Sequence, residues 1–528
     1  MTRKKLPIGI QTFAKIREAD YYYVDKTGIA VDLVEAGSHY FLSRPRRFGK
    51  SLFLDTLKEL FEGNQSLFKG LAAEGRWDWA VKYPVLRLSF GGGVLGSVQD
   101  LNESLHRQFT NLERQYQLTA EFKDTRSRFS EIITRVAEAT GQRVVILVDE
   151  YDKPILDRIE DPTIALQIRE ALKDLYSVIK DTDAHVKFAF LTGVSKFSKV
   201  SLFSGLNNLK DITLDARYSA ICGYTEADVD SVFAPELLGL DRQQIRRWYN
   251  GYNWLGEAVY NPFDLLLLFD ERQFRAFWFE TGTPTFLIKL LTARASFIPE
   301  LGTLRADSEL LSTFDVDNIH TVALMFQAGY LTIDHQSMQG QDIVYALRYP
   351  NREVRQSLHN SLLDVLVQSA HNRLDNRIRL YDLLAANDLP GLQTLITAFF
   401  ASIPTDWYRN NPIAQYEGYY ASVFYSYFAA LGLDITVEDS SNQGRLDMAV
   451  RFGGRIYLFE FKVVELVPEG NAMAQLKAKN YAAKYLAEGQ PIYLIGVEFS
   501  KEARNLVAFE VDSADSVDAN TINCLANP

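Results

Sequence analysis

The first part of the chain alternates short apolar runs with longer segments whose apolar residues recur every three or four positions. The short runs are typical of buried strands, and they read HYFLSRP, PVLRLSF, RVVILVDE and KFAFLTGV. The longer segments predict amphipathic helices, and they read KSLFLDTLKELFEG, VQDLNESLHRQFTNLERQYQL and IALQIREALKDLYSVIKD. Buried strands separated by helices form a mostly parallel sheet covered on both faces. We therefore predict an α/β domain over residues 1–284.

The pattern changes after residue 284. Residues 285–355 predict a helix and then a hairpin in which YLTIDHQ and DIVYALRYP flank a polar turn, as in a small winged-helix-like module. That turn contains no Lys or Arg, so a lid or spacer is favoured over a DNA clamp. Residues 356–395 predict a helical linker. Residues 396–528 return to strands and predict a second, separate α/β unit.

Composition and charge narrow the class of protein. A chain of 528 residues, 47% hydrophobic and 23% charged, is globular and long enough for several domains. Its two cysteines lie far apart and form no motif, which indicates a reducing cytoplasm. The apolar runs are shorter than a membrane span, so we expect no membrane association. The net charge of -11 excludes a surface that is basic overall, but it allows a local basic groove that binds nucleic acid.

The stretch FLSRPRRFGKSLFL has the features of a phosphate-binding loop that opens a helix. In such a loop Gly49 allows close approach of the backbone, Lys50 contacts the terminal phosphates and Ser51 binds Mg²⁺. Arg44 stands where such loops ordinarily have their first glycine, and we expect the loop arginines to replace that glycine with positive charge. The alternative is a solvated loop that happens to contain Gly-Lys-Ser.

The second half of this site is RVVILVDEYDKP, in which an apolar strand ends in two acids. Asp149 is placed to hold Mg²⁺ through water, and Glu150 to polarise an attacking water. The alternative is a strand end with two solvated acids. The next strand, in KFAFLTGVSKFS, leads to Ser195, where a phosphate sensor is expected, although polar residues after strands are also common without any such role.

The clearest candidate catalytic motif of the second unit is GRLDMAVRFGGRIYLFEFKVV. It predicts a strand, a glycine turn and a second strand. Glu460 and Lys462 lie two apart on one face, with phenylalanines on the other. If the strands pair, Asp447 and Glu460 converge on one Mg²⁺, and Lys462 orients a water or stabilises the developing charge. An acid followed by Glu-x-Lys also arises by chance in strand-rich proteins.

Flanking residues extend this second site. Glu417 interrupts an aromatic helix and is a candidate third carboxylate. AMAQLKAKNYAAKYLAEG predicts one helix, on which Gln475 and Tyr481 are not directly stacked. Together with Lys477 and Lys484, these residues are candidates to line a groove for a nucleic-acid backbone.

These residues resemble the AAA-ATPase-like proteins of bacteria, which carry a PD-(D/E)XK-type nuclease-superfamily domain at the C-terminus. The matching stretches of the first part are YYYVDKTGIAVDL, FLSRPRRFGKSLFLDTL, VILVDEYDKPI, LTGVSKFS, WYNGYNW, YNPFDLL and FETGTPTFLI, and those of the tail are GRLDMAV, LFEFKV, QLKAKNYAAKY and IYLIGVEF. In that family the loop reads RPRRFGKS, so Arg44 departs only from the general phosphate loop. The resemblance implies a P-loop NTPase fold that binds ATP and Mg²⁺, with a site formed by Arg46, Arg47, Phe48, Gly49, Lys50, Ser51, Asp149 and Glu150. For the aromatic residues of WYNGYNW we prefer packing in the core or at a domain junction over a ligand cage.

Two functional hypotheses follow. The first is an ATP-binding protein, expected to hydrolyse ATP, whose nuclease-like domain cleaves nucleic acid under nucleotide control, with DNA preferred to RNA. The alternative is an NTPase signalling switch whose nuclease fold is inactive and binds nucleic acid or a protein partner. Such ATPases often act between subunits, so the first hypothesis allows a homo-oligomer, but no residue fixes its size.

Overall fold

The computed structural model describes residues 3–119, 121–196, 208–280, 287–288, 290–291, 294, 298–312, 316, 319–367, 373–401, 417–441 and 444–514. The chain divides into two compact units. The first comprises Met1–Thr283 and Leu304–Glu353, and the second comprises Pro284–Thr303 and Val354–Pro528. This division differs from the four segments expected from the sequence, because most of the 285–355 segment belongs to the first unit.

The first unit contains a sheet of five parallel strands in the order β2-β3-β4-β1-β5. The strands are β1 His39–Ser43, β2 Val85–Ser89, β3 Val144–Asp149, β4 Val186–Gly193 and β5 Lys210–Asp211. The four apolar runs predicted as strands are all confirmed, and β1 and β3 are buried along their whole length. Because β4 lies between β1 and β3, the loops that follow β1 and β3 emerge at the same edge of the sheet, on either side of the end of β4.

The helices of the first unit include the three that the amphipathic pattern predicts. They are α1 Phe13–Glu18, α2 Thr27–Ala36, α3 Lys50–Phe61, α4 Val98–Tyr116, α5 Thr125–Thr140, α6 Lys153–Leu156, α7 Pro162–Asp181, α8 Glu226–Val232, α9 Arg242–Tyr249, α10 Pro262–Glu271, α11 Phe277–Glu280, α12 Ser308–Ser312 and α13 Thr321–Ala328. The α3, α4 and α7 predictions are confirmed. Ser97 begins α4 as its N-cap by accepting a hydrogen bond from the Asp100 N–H.

The first unit also contains a small antiparallel sheet in the order β6-β8-β7. Its strands are β6 Arg305–Asp307, β7 Thr332–Gln339 and β8 Asp342–Arg348. Helix α13 leads into the β7–β8 hairpin, so the predicted helix and hairpin are present, while the winged-helix role stays a prediction. The outer half of β7 is exposed. Asn253 and Thr332 exchange hydrogen bonds of 2.7 and 3.2 Å, which tie the start of β7 to the WYNGYNW segment.

The second unit is built on a mixed five-stranded sheet in the order β13-β12-β11-β10-β9. Its strands are β9 Asp434–Ser441, β10 Gly444–Phe452, β11 Arg455–Val464, β12 Ile492–Ser500 and β13 Asn505–Ser513. Its helices are α14 Arg352–Val367, α15 Arg373–Ala386, α16 Leu389–Ala401, α17 Glu417–Ala430 and α18 Asn471–Ala478. The β11–β12 pair is parallel and the others are antiparallel. Of the helices described in the two units, none has the length and apolar character that crossing a bilayer requires.

The two faces of the second sheet are covered differently. On one face, the Phe424 ring of α17 packs on Phe459 and Phe461, with ring centroids 5.2 and 4.9 Å apart. On the other face α18 lies against β11 and β12. A Cβ at Gly496 would stand 2.6 Å from the Met473 nitrogen, so this glycine allows α18 to approach the sheet closely.

The prediction of one continuous helix after β11 is wrong. Helix α18 ends at Ala478, and Asn480 adopts a left-handed conformation with φ 44°. A short 3₁₀ turn over Tyr481–Lys484 follows. Asn tolerates this region better than most residues because its short polar side chain bonds locally, so the chain can turn sharply here. The turn redirects Tyr481, whose surroundings therefore differ from those expected on a helix.

Candidate nucleotide and metal sites

The predicted phosphate loop joins β1 directly to α3, as expected. Gly49 is the N-cap of α3 with φ 92°, and Arg47 also has a left-handed backbone with φ 71°. For a residue with a Cβ this conformation is strained, and such strain concentrates at binding sites. These two residues turn the chain abruptly from the strand into the first turn of the helix, where Lys50 and Ser51 lie.

Lys50 is buried, and its ammonium is held by the loop itself. Its Nζ donates hydrogen bonds of 2.9 Å to the carbonyl oxygens of Arg44 and Pro45. Burial lowers the pKa of Lys50, while the nearby Asp149 carboxylate acts in the opposite direction. A buried ammonium held by neutral carbonyls is poised to exchange them for an anion, which makes a stronger charge-assisted hydrogen bond.

Arg44 does not supply charge to this loop, contrary to the expectation that it replaces a glycine in this way. Its side chain is fully buried and donates hydrogen bonds to the carbonyls of Ser43, Thr213 and Tyr218 at 2.8, 2.9 and 3.2 Å. Its guanidinium lies 4.0 Å from the centre of the Trp254 ring. Arg44 therefore stabilises the start of the phosphate loop from within the core.

Arg46 and Arg47 are the exposed cations of the loop. The Arg47 guanidinium stacks 4.6 Å from the Phe263 ring centre, and the Arg46 carbonyl accepts a hydrogen bond from the Trp278 indole. Phe48, in contrast, is buried and packs edge-on against Tyr252, 4.7 Å between ring centres.

The aromatic WYNGYNW segment is largely core material. Tyr249, Tyr252 and Trp254 are buried, and the Tyr252 and Trp254 rings enclose Phe48 behind the phosphate loop. The preference for packing over a ligand cage is confirmed for these three residues.

Asp149 ends β3 and is buried beside the loop. Its Oδ2 lies 3.8 Å from Arg87 Nη2, and its Oδ1 has no hydrogen-bond partner among the residues that the structure describes. Arg87 also bonds Asp55 of α3 at 2.8 Å. A buried carboxylate oxygen without a donor fits a bound Mg²⁺ or its water shell, so the residues present suit the expected metal.

Two further acids lie close to Asp149. Glu150 has a left-handed backbone with φ 53°, and its Oε2 lies 3.1 Å from the position that a Cβ would take on Gly91. Asp152, which the sequence analysis did not single out, accepts hydrogen bonds of 3.0 and 2.5 Å from the backbone N–H groups of Val194 and Ser195. Burial raises the pKa of Asp152 to about 6.

Ser195 was expected to act as a phosphate sensor. It is buried, its N–H is bound by Asp152 and its carbonyl accepts a hydrogen bond of 2.9 Å from the Tyr151 hydroxyl. These bonds fix the end of β4 against the DEYD segment. Its role toward a phosphate stays a prediction, because residues 197–207 lie outside the described part of the chain.

A cavity of 380 Å³ opens at the phosphate loop, within the range of about 300–1,000 Å³ typical of small-molecule sites. Its lining includes most of the predicted residues, namely Arg46, Arg47, Phe48, Gly49, Lys50, Ser51 and Glu150. It also includes residues that sequence reasoning missed: Asp152, Cys222 and an N-terminal wall with Ile10 and Tyr23. Asp152 could have been found from the acid-rich DEYD stretch. The N-terminal wall could not, because it reaches the cavity through a long-range contact that has no local sequence pattern.

The predicted acid pair of the second unit comes together. Strands β10 and β11 pair antiparallel with Met448 opposite Phe459. Asp447 Oδ2 accepts a hydrogen bond of 2.8 Å from the Phe461 N–H, so it reaches the neighbouring strand beside Glu460. Lys462 Nζ lies 3.3 Å from Glu460 Oε1, and the Gln475 amide also donates to that oxygen.

The pKa of Glu460 is strongly shifted. Its side chain is fully buried, and burial together with the Asp447 charge raises the pKa of Glu460 from 4.5 to about 7, against the effect of Lys462. Glu460 Oε2 has no hydrogen-bond partner within the described residues. Two converging carboxylates, one with an unsatisfied buried oxygen, fit a divalent cation.

The remaining predicted residues fall into different places. The Tyr481 hydroxyl donates a hydrogen bond of 2.8 Å to the Arg445 carbonyl. Burial raises the pKa of Tyr481, the Gln475 side chain opposes this, and the nearby Glu460 and Asp447 charges add to it. Lys477 is on the surface and pairs with Asp512 at 2.7 Å. Glu417 begins α17, but its side chain lies outside the described part of the structure.

Comparison with known proteins gives two matches at these sites. A family model described as "Predicted AAA-ATPase" matches residues 7–203, and one described as "PD-(D/E)XK nuclease superfamily" matches residues 415–509. A protein of Azotobacter chroococcum mcd 1, described as "Uncharacterized protein in vnfD 5'region", is 64% identical over 514 residues, which are 97% of this chain and 100% of that protein. The chain belongs to the AAA-ATPase-like family.

This AAA-ATPase-like protein thus carries a nuclease-superfamily domain at its C-terminus, as the sequence resemblance implied. The first match contains the phosphate loop and Asp149, and the second contains Asp447, Glu460 and Lys462.

Proposed function

We propose that this AAA-ATPase-like protein binds and hydrolyses ATP in the first unit, and that the nucleotide controls Mg²⁺-dependent cleavage of nucleic-acid phosphodiesters in the second. The observation that carries the proposal is the buried Glu460 carboxylate, which lies beside Asp447 and the Lys462 ammonium and has one oxygen without a hydrogen-bond partner among the described residues. DNA is the preferred substrate, and the protein acts in the cytoplasm, as a homo-oligomer if its ATP site needs a neighbouring subunit.

In the first unit, each side chain has a role in holding the nucleotide. Lys50 transfers its hydrogen bonds from the Arg44 and Pro45 carbonyls to the terminal phosphates, a stronger charge-assisted contact. Ser51 and Asp149 hold Mg²⁺, and Glu150 orients the attacking water. Arg46, Arg47 and the backbone of Phe48 and Gly49 enclose the phosphates, and Ser195 reports on them from the end of β4.

In the second unit, Asp447 and Glu460 hold the cation, and Glu417 is a candidate third acid. When bound, Mg²⁺ supplies positive charge against the scissile phosphate and acidifies a water. Lys462 keeps its ammonium on the same face as both acids, where it orients that water and stabilises negative charge on the phosphate. Gln475 fixes the Glu460 carboxylate through its amide, and Tyr481 and Lys477 are the predicted contacts to the substrate backbone.

Cleavage assays test the nuclease half of the proposal. Wild type, Lys462→Ala and the surface control Lys501→Ala are incubated with supercoiled, linear and single-stranded DNA and with RNA, in Mg²⁺ or Mn²⁺. Wild type and the control are expected to cleave, while Lys462→Ala folds normally and does not. Cleavage by Lys462→Ala at the wild-type rate would overturn the assignment.

The alternative function is an NTPase switch with an inactive nuclease fold, which binds nucleic acid or a protein partner. In that function Asp447 and Glu460 hold no metal ion. Calorimetric titration with Mn²⁺ separates the two functions. An active nuclease site is expected to give a binding signal that is lost in Asp447→Asn and Glu460→Gln, whereas an inactive fold gives no such signal.

A further inference from the structure

We propose that Glu498 is a positioning residue of the metal site in the second unit, on which it acts through helix α18 without touching the cation. This inference rests on the proposed nuclease function and extends the site to a residue outside the acid pair. Glu498 lies in β12, and its side chain is buried. A glutamate is seldom buried unless other groups compensate its charge, so the groups that hold Glu498 indicate what it does.

Glu498 supplies the cap that α18 lacks in its own sequence. The N-cap residue of α18 is Gly470, which has no side chain to accept a hydrogen bond from the first turn. Glu498 Oε2 accepts a hydrogen bond of 2.7 Å from the Glu469 N–H, and its Oε1 accepts one of 3.3 Å from the Ala472 N–H. The negative charge also suits the positive end of the helix dipole. Glu498 therefore fixes the start of α18 over β12.

The same helix reaches the metal site one turn later. Gln475 lies three residues after Ala472, roughly 4.5 Å along the helix axis, and its amide donates a hydrogen bond to Glu460 Oε1. Between these two points the Met473 backbone lies close over Gly496, which has no side chain to hold the helix away from the sheet. The position of the start of α18 therefore determines where the Gln475 amide meets the acid.

The strand register separates Glu498 from the acid pair. In the parallel β11–β12 pair, Glu460 lies opposite Gly496, and Lys462 lies opposite Glu498. Glu498 is thus one strand away from Glu460 and two residues further along, on the same face of the sheet. Both of its oxygens accept hydrogen bonds from the backbone at the start of α18. Its effect on the site is therefore transmitted by the helix and Gln475.

The orientation of the Glu460 carboxylate depends on this support. Its Oε1 accepts a hydrogen bond from the Gln475 amide and lies 3.3 Å from Lys462 Nζ. Its Oε2 has no hydrogen-bond partner among the residues that the structure places. The first oxygen is thereby held, and the second faces the cation. Loss of a group that orients a metal ligand ordinarily weakens metal binding about 10–100-fold, so we expect the loss of the Glu498 cap to act on that scale.

Calorimetric titration of the full chain with Mn²⁺ tests the inference. Glu498→Gln keeps the shape of the side chain but replaces one accepting oxygen with an NH₂ group, which cannot accept a hydrogen bond from an N–H. Asn387→Ala is the matched control. Asn387 makes hydrogen bonds of 2.9 Å with the hydroxyls of Tyr457 and Tyr493, on the same two strands but on the face opposite to Glu460.

Glu498→Gln is expected to weaken Mn²⁺ binding about tenfold, whereas Asn387→Ala is expected to change it by less than about twofold. Because Glu498 acts through Gln475, the double variant Glu498→Gln/Gln475→Ala is expected to bind Mn²⁺ as weakly as Gln475→Ala alone. Losses that multiply in the double variant would show that Glu498 acts by another route and would overturn the inference.

A second readout needs no metal. In metal-free Glu498→Gln, hydrogen exchange is expected to accelerate at the amides of residues 469–478, while β11 keeps its wild-type protection and so shows that the sheet is folded. Unchanged exchange over 469–478, or wild-type Mn²⁺ affinity in this variant, would overturn the inference and leave the proposed function intact. If the wild-type protein binds no Mn²⁺, the inference and the proposed nuclease function both fail.

Discussion

Lys462 and Glu460 lie two residues apart on one face of β11, with the Lys462 ammonium 3.3 Å from Glu460 Oε1. Burial is the main cause that raises the pKa of Glu460 to about 7, repulsion from Asp447 adds to the rise, and the Lys462 contact offsets only part of it. Without a metal the site therefore favours the protonated, neutral form of this acid. A divalent cation favours the ionised form and opposes both effects.

The raised pKa of Glu460 predicts how stability depends on pH. Between pH 4.5 and about 7 the unfolded chain loses this proton while the folded chain keeps it, so the free energy of unfolding falls as pH rises through this window. Chemical denaturation of metal-free protein at pH 5, 6, 7 and 8 measures it. Glu460→Gln is expected to flatten the profile, and a profile identical to wild type in this variant would contradict the assignment of the shift to Glu460.

The same group predicts the pH dependence of cleavage. Metal binding needs the ionised carboxylate, so cleavage at limiting Mg²⁺ is expected to increase as pH rises toward 7. At saturating Mg²⁺ the midpoint shifts to lower pH, because the cation favours the ionised form. Initial rates at two Mg²⁺ concentrations check this, and a midpoint that does not depend on Mg²⁺ would exclude Glu460 as the titrating ligand.

Lys50→Ala tests the phosphate loop. Charge-assisted hydrogen bonds contribute about 1.5–3 kcal/mol each, so this change is expected to weaken ATP binding by roughly 100-fold. Lys58→Ala is the matched control, because Lys58 lies on the same helix and pairs with Glu59 and Glu62 at 2.7 and 3.1 Å. Isothermal titration with Mg-ATP measures both. Equal affinities in the two variants would show that the nucleotide does not use this loop.

Arg44→Ala tests the structural role found for this arginine. The change leaves three carbonyls without their hydrogen-bond donor and a cavity beside Trp254, so we expect the free energy of unfolding of the first unit to fall by about 3–5 kcal/mol. Arg46→Ala, two residues away and exposed, is expected to change it by less than about 0.5 kcal/mol. Denaturant titration distinguishes them, and similar losses in both variants would contradict the buried role of Arg44.

Gly496→Ala tests the approach of α18 to the sheet. An added Cβ would meet the Met473 backbone at 2.6 Å, so we expect a loss of about 1–3 kcal/mol in the second unit and slower cleavage, because Gln475 moves away from Glu460. Gly75→Ala, which adds a Cβ in open space, is the control. An unchanged unfolding curve for Gly496→Ala would show that α18 is not held so closely.

The sequence predicted the site best where the functional residues follow the local repeat of a strand. Alternation along β11 predicted that Glu460 and Lys462 share a face, and strand pairing brought Asp447 beside them. The direction of the Arg44 side chain was not predictable, because it depends on Thr213 and Tyr218, far along the chain. The helix break after α18 depends on the conformation of a single residue, Asn480. It could not be predicted from helical periodicity, because the apolar pattern continues past the break.

The central claim is that the nucleotide bound at Lys50 controls cleavage at Lys462, and the most direct test is the cleavage rate of supercoiled DNA with and without ATP. We predict that ATP changes the wild-type rate, that Lys50→Ala cleaves at one rate whether or not ATP is present, and that Lys462→Ala binds ATP normally without cleaving. An ATP response that persists in Lys50→Ala, or cleavage by Lys462→Ala, would contradict the account.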